Sequence, residues 1–213
     1  MNLEELIRSR RSIRRYKPEA PPRETIEALI AVAALAPSAS NKQPWRFFAC
    51  DDRATIDRMA AAVQESVDRI AARVDARLME QFRAYGDYFV RFREAPVVIV
   101  PVFREMAVLS HLVDADVDAA DRERIAELEF NSGIVSASLA LQNLMLYAHS
   151  IGLGSSSMTG PLLAAPAIKA ILGIPPSWRI VAMVPVGFPA EAPAPTPRKA
   201  VEDVVRWSPE VRT

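Results

Sequence analysis

Reactive side chains are scarce in this chain of 213 residues. It has a single cysteine, Cys50, so no disulfide closes within the chain and a four-cysteine zinc site is excluded. The two histidines, His111 and His149, stand isolated. No HxH, HExxH or Cys–His spacing exists, which disfavours a metal enzyme. Glycine is sparse too. None of the 7 falls in GxGxxG, GxxxxGKS or GxxxxGKT, so neither a dinucleotide-binding Rossmann turn nor a P-loop is expected. No sign of charge is in surplus: 26 Lys and Arg face 26 Asp and Glu. A non-specific nucleic-acid binder needs a basic excess, so no nucleic-acid partner is expected. No apolar run approaches the ~18–20 residues of a membrane helix. The opening MNLEELIRSR puts an acidic pair where a signal peptide needs a basic region and then an apolar stretch. These absences point to a cytoplasmic protein with no membrane partner.

What is present is ordinary for a folded chain. Half of the residues are hydrophobic and 24% are charged, which excludes a disordered chain, a collagen and a cysteine-stapled scaffold. The length fits one domain over 1–213. It can bury roughly 70% of its unfolded surface without a disulfide or a metal.

Leu3, Leu6 and Ile7 form a short helical face, and Asn2 and Glu5 have capping-box spacing. After the basic segment Arg10–Lys17, prolines 18, 21 and 22 mark a turn. Ile26, Leu29, Ile30 and Ala33 share one face of a second helix, stopped by Pro37. The polar loop Ser38–Gln43 leads into a strand over Trp45–Cys50. Asp51 and Asp52 can cap one long helix whose apolar residues recur at 56, 59, 63, 67, 70, 74, 78, 82 and 85, close to the helical period of ~3.6. Ala95–Val102 is a continuous apolar run, read as a central strand covered on both faces. Residues 104–120 have no clear period and read either as a mobile lid or as a surface helix.

Residues 121–150 form a second long helix with two apolar stripes. One runs through Leu128, Val135 and Leu139, the other through Ile134, Ala137, Leu141, Leu144 and Ala148. Such a helix must be covered on more than one side, and a partner subunit is one way to supply the second cover. A short helix through Leu172 ends at Gly173, and Trp178–Gly187 is a final core strand. Prolines 185, 189, 193, 195 and 197 force an extended tail, suited to lying over a surface or another subunit. Strands interrupted by long helices give an α+β or α/β class.

Four segments could carry chemistry. Arg10-Arg11-Ser12-Ile13-Arg14-Arg15 sets guanidinium forks beside a hydroxyl, a combination that matches phosphate oxygens. The plain alternative is a solvated basic patch. Pro37–Trp45 offers donors and acceptors suited to a heterocycle edge, or it is an ordinary polar turn. Gly154–Gly160 precedes a helix, where backbone N–H groups lack intrahelical partners and can meet a ligand; otherwise Thr159 merely caps the helix. Arg198 and Lys199 can close a phosphate site or do nothing. Cys50 is best read as a buried structural thiol.

The order of these segments resembles the nitroreductase family of FMN-dependent oxidoreductases. The resemblance rests on Arg10-Arg11-Ser12-Ile13-Arg14, Ala36–Phe47, Gly152–Gly160 and Arg198–Val205. Residues 53–127 carry no such motif. The resemblance implies an α+β fold: a three-layer α/β/α sandwich with a central, mostly antiparallel sheet, built as an intertwined homodimer with FMN at the interface. It implies that Arg10, Arg11, Ser12 and Arg14 hold the phosphate and ribityl end, joined by Arg198 and Lys199. Pro37, Ser38, Ala39 and Asn41 would come from the second subunit. Met158, Thr159 and Gly160 would line the ring, with the Thr159 N–H near flavin N5.

Some relatives have an acidic residue in place of Thr159 and a lysine in place of Thr196. The activity implied is hydride transfer from NADH or NADPH, by ping-pong kinetics, to a small acceptor such as a nitroaromatic or quinone. A flavin-processing or dehalogenating enzyme and a non-catalytic flavin-binding dimer are the alternatives. No side chain need act as a nucleophile, because the flavin supplies the redox chemistry.

Overall fold

The structure, a computed structural model, describes residues 2–114 and 116–208. Helix α1 (Leu3–Ser9) begins with the expected capping box: Glu5 N donates to Asn2 Oδ1 at 3.0 Å and Asn2 N to Glu5 Oε2 at 2.9 Å. Then come α2 (Arg23–Ala33), β1 (Trp45–Cys50), α3 (Arg53–Ala71), α4 (Met79–Gly86) and β2 (Val97–Arg104). The second half holds α5 (Ala119–Ser150), β3 (Gly154–Ser155), α6 (Ala165–Leu172), β4 (Trp178–Ile180), β5 (Val184–Gly187) and the short α7 (Val201–Val204).

The class is α+β. The sheet runs β1-β2-β5-β3, with β4 also paired to β2, and every ladder is antiparallel. Strand β2 is its centre, and its alternating side chains explain the three layers. Val97, Ile99 and Phe103 enter a core with Leu29 of α2 and Leu141 and Leu144 of α5. Val98, Val100 and Val102 enter a second core with Ile56, Met59 and Val63 of α3 and Ile168 of α6. A strand apolar from Val97 to Phe103 is thus buried on both faces, as its sequence requires.

Some boundaries differ from expectation. The single helix over 56–85 is divided: α3 ends at Ala71 and a 3-10 turn, Ala76–Leu78, precedes α4. Asp75 accepts from Arg77 N at 2.9 Å and from its guanidinium at 2.7 Å, so it caps a new helical start instead of sitting inside a helix. Ile70 and Leu78, from the predicted stripe, are exposed, so no core holds the helix continuous there.

The strand over 178–187 is likewise divided: Val181 N still donates to Pro101 O of β2 at 2.9 Å, but Met183 pairs instead with Met158 in both directions, at 2.8 and 2.9 Å. Of the expected lid or surface helix over 104–120, Arg104 closes β2 and residues 105–113 form no α-helix, only a 3-10 turn at Leu109–His111. In α5 the stripe through Ala137, Leu141, Leu144 and Ala148 is buried. The stripe through Leu128 (54% exposed), Val135 (58%) and Leu139 (43%) is uncovered within the chain. The proline tail pairs with Arg15–Lys17 as far as Ala190, and residues 194–204 then lie exposed.

Candidate functional site

The basic motif is stitched to the sheet edge just past α1. Ile13 N donates to Ser155 O at 3.1 Å, and Ser12 forms a parallel bridge to Ser155. Gly154 permits this approach, since a Cβ there would lie 2.7 Å from the Ile13 side chain. The Tyr16 hydroxyl donates to Ile13 O and to Pro185 O, locking the segment; burial pushes its phenol upward.

Arg10, Arg11 and Arg198 are gathered into one positive field. Burial first, then the charges of Arg198 and Arg11, hold the Arg10 guanidinium below its ordinary value. No carboxylate among the described residues pairs with any of the three. Arg11 Nη1 donates to Arg8 O at 2.6 Å and Arg10 O at 2.9 Å, but its buried Nε has no partner. A buried, unpaired guanidinium donor is costly unless an acceptor arrives. The donor set fits a doubly charged phosphate. Lys199 lies exposed next to Arg198. Arg14 is directed elsewhere: its amide donates to Glu191 Oε1 at 2.6 Å and its guanidinium lies 5.9 Å from the Tyr88 ring centroid.

Met158, Thr159 and Gly160 follow β3, the strand that the basic motif joins. The Met158–Met183 pairing fixes their path, and the Thr159 N–H has no acceptor among the described residues. Thr159 makes no side-chain cap of the 3-10 turn Gly160–Ala164. A Cβ on Gly160 would lie 2.1 Å from the Phe89 ring, so only glycine lets the backbone sit there.

Pro37–Asn41 sits apart from these groups. Ser40 (φ 50), Asn41 (φ 53) and Gln43 (φ 45) all lie in the left-handed region, which is strained for residues with a side chain. Gln43 N donates to Ser38 Oγ at 3.0 Å and Ala39 N to Ser136 Oγ at 3.4 Å, anchoring the loop on α5. The basic motif instead meets α5 near its end, where Ser9 Oγ and His149 Nε2 are 2.8 Å apart. Between Ser136 and His149 the helix rises roughly 20 Å, so within one chain the two groups do not meet.

The model of the Nitroreductase family matches residues 7–188. The chain belongs to the nitroreductase family. It is 32% identical to an NADH dehydrogenase of Thermus thermophilus over 93% of this chain and 92% of the relative. A solved iodotyrosine deiodinase, bound to FMN and 3-iodo-L-tyrosine, superposes with a TM-score of 0.73 at 26% identity, covering 97% of this chain and 98% of that one. A BluB-like flavoprotein of Clostridium difficile 630 shares the fold at a TM-score of 0.82 and 24% identity, over 97% and 99%.

In this nitroreductase-family chain several residues near the motifs were not legible as site residues. The Tyr88 ring has two guanidinium neighbours, Arg14 and Arg91, the latter 4.4 Å from its centroid. Phe89 backs Gly160, and Glu191 holds the Arg14 amide. The aromatic cluster Tyr85, Tyr88, Phe89 was the only available signal, and it falls in the stretch without motifs.

His149 joins the cationic field. Burial first, then Arg10 and Arg11, hold its ring below the ordinary histidine value. A phosphate brought to these arginines cancels that repulsion, so the His149 pKa is expected to rise on binding. NMR titration of the ring with and without inorganic phosphate checks this; an unchanged titration would place the anion elsewhere. In the free protein the sign is opposite. A depressed folded pKa means the unfolded chain binds more protons, so this contribution to stability is lost as pH falls through the histidine range.

Proposed function

We propose that this chain is an FMN-dependent oxidoreductase that reduces a small acceptor, such as a nitroaromatic or quinone, at the expense of NADH or NADPH. The observation that carries this reading is the field of Arg10, Arg11 and Arg198, uncompensated by any carboxylate among the described residues and including a buried donor without a partner there. In a chain of zero net charge, such a concentration is matched by a phosphate dianion. Arg10, Arg11, Ser12 and Arg198, with Lys199, would hold the phosphate and ribityl end. Met158, Thr159 and Gly160 would line the ring, with the Thr159 N–H as a donor toward it. Arg14 would contribute positive charge from beside Tyr88. Bound FMN would supply the two-electron redox chemistry.

The roughly 20 Å between the two groups along α5 supports a homodimer, in which Pro37, Ser38, Ala39 and Asn41 of a second copy complete each site. Donor and acceptor would then take turns in one space, which gives ping-pong kinetics. A dehalogenating enzyme is the second reading, supported by the likeness to the deiodinase.

The test is optical. The purified protein is expected to carry one flavin per chain, to bleach anaerobically with NADH or NADPH, and to recover its colour with a quinone. Initial rates at several fixed quinone concentrations should give parallel double-reciprocal lines. A colourless protein that takes up no added FMN would overturn the reading. A flavin bleached by dithionite but not by either nicotinamide would favour the second.

A further inference from the structure

The proline tail is fastened to the basic motif well before it reaches Arg198, and the last fastening is a carboxylate. Lys17 N donates to Phe188 O at 2.9 Å, Tyr16 and Pro189 form an antiparallel bridge, and Ala190 N donates to Arg15 O at 3.0 Å. Glu191 follows, half-buried. Its Oε1 accepts from Arg14 N at 2.6 Å and from Arg15 N at 3.1 Å. Two consecutive backbone N–H groups thus close on one oxygen, and hydrogen bonds to an ionised acceptor are the strong ones. Over 192–199 no backbone hydrogen bond holds the tail among the described residues.

Arg198 is nevertheless placed where its charge acts on Arg10. Prolines 193, 195 and 197 explain how an exposed segment without backbone hydrogen bonds presents one side chain at one spot. Each fixes its own φ, and together they favour a stiff extended strut, about 22 Å from Glu191 to Arg198 at ~3.1 Å per residue. A stiff strut carries the orientation of its base to its tip. The base is set by Glu191, whereas the motif has its own supports: Ile13 N bonds Ser155 O, and the Tyr16 hydroxyl donates to Ile13 O and Pro185 O. Loss of the Glu191 carboxylate therefore frees the strut and leaves Arg10, Arg11 and Ser12 in place.

We propose that Glu191 is a positioning residue for cofactor binding: it pins the base of the proline strut to the Arg14 and Arg15 amides and so delivers Arg198 to the phosphate. This rests on the FMN reading above and adds to it the residue that closes the clasp. Glu191 keeps its negative charge in this arrangement, so its service to an anion site is through its acceptor oxygen and not through its charge.

The test uses the full chain, stripped of flavin and titrated with FMN and with riboflavin, which lacks the phosphate. Glu191→Ala is expected to weaken FMN by about tenfold, the scale of one charge-assisted hydrogen bond, and riboflavin by less than about threefold. Exchange at the Arg14 and Arg15 amides should speed by about tenfold. With Arg198→Ala already present, Glu191→Ala should cost FMN affinity less than about threefold, because the two act as one unit. Glu191→Gln, which keeps an acceptor and loses the charge, should stay within about threefold of the parent. Replacing Pro193, Pro195 and Pro197 together by glycine should weaken FMN and leave exchange at both amides unaltered.

Equal losses for FMN and riboflavin in Glu191→Ala would overturn the proposal, as would a full loss that persists without Arg198 or a Gln variant as weak as the Ala one. Should Glu191→Ala fail to fold, the glycine-strut variant decides, and unchanged FMN affinity there would overturn the proposal too. A parent that binds riboflavin as tightly as FMN would instead defeat the phosphate reading itself. That outcome is distinct, because it is seen before any residue is changed.

Discussion

Arg10→Ala and Arg198→Ala are each expected to weaken FMN binding by roughly 10- to 150-fold, because a hydrogen bond to a charged group contributes about 1.5–3 kcal/mol. Neither change should unfold the chain. Arg10 follows α1, a helix with no buried residue, and Arg198 lies in the exposed tail. Removing either also relieves the mutual repulsion among Arg10, Arg11 and Arg198, so the empty protein should be as stable as the parent or slightly more so. Opposite effects on affinity and stability are the signature of a site built for a ligand and not for the fold. Flavin fluorescence on dilution measures the affinity and thermal melting of the flavin-free protein the stability. Unchanged affinity in both variants would move the phosphate elsewhere.

Leu139→Glu is expected to turn a flavin-loaded dimer into a folded, colourless monomer. Leu139 shares the uncovered stripe of α5 with Leu128 and Val135, beside the groove that carries Pro37, Ser38 and Ala39. Scattered exposed leucines are ordinary, but a stripe repeating on one helix face is a surface awaiting cover. An obligate interface commonly buries about 2,000 Å² or more, and an unpaired carboxylate at its centre costs several kcal/mol. In the isolated chain Leu139 is 43% exposed, so the substitution should leave α5 and the two cores intact. Sedimentation, circular dichroism and the flavin spectrum together check the claim. A dimer that keeps its flavin would show that this face of α5 is not the interface.

Much of the fold was legible because local chemistry and burial agreed. The capping box at Asn2, the apolar run of β2 and the αL glycine closing α6 at Gly173 each specify their conformation from a few neighbouring residues. The basic motif, the loop after Ala36 and the segment before α6 stood out as candidate binding elements for a related reason: their polar groups exceed what the local backbone can satisfy. The error over 56–85 shows the limit of periodicity. A helical period records that a helix could form, but continuity needs a core along its length, and over 72–78 no residue is buried to outweigh the cap offered by Asp75.

By itself, the amino-acid order determined the elements, the two-faced strand β2 and the sites of concentrated positive charge. Only the tertiary structure decided which distant residues serve them. It set Phe89 behind Gly160, placed His149 beside Ser9 and tied Val108 and Ser110 to Glu129. Those pairings join positions far apart in the chain, and nothing in either partner's neighbourhood announces the other. They form because folding the two cores around β2 fixes where each surface lies, and charge, shape and unsatisfied hydrogen-bonding groups act only after that placement is made.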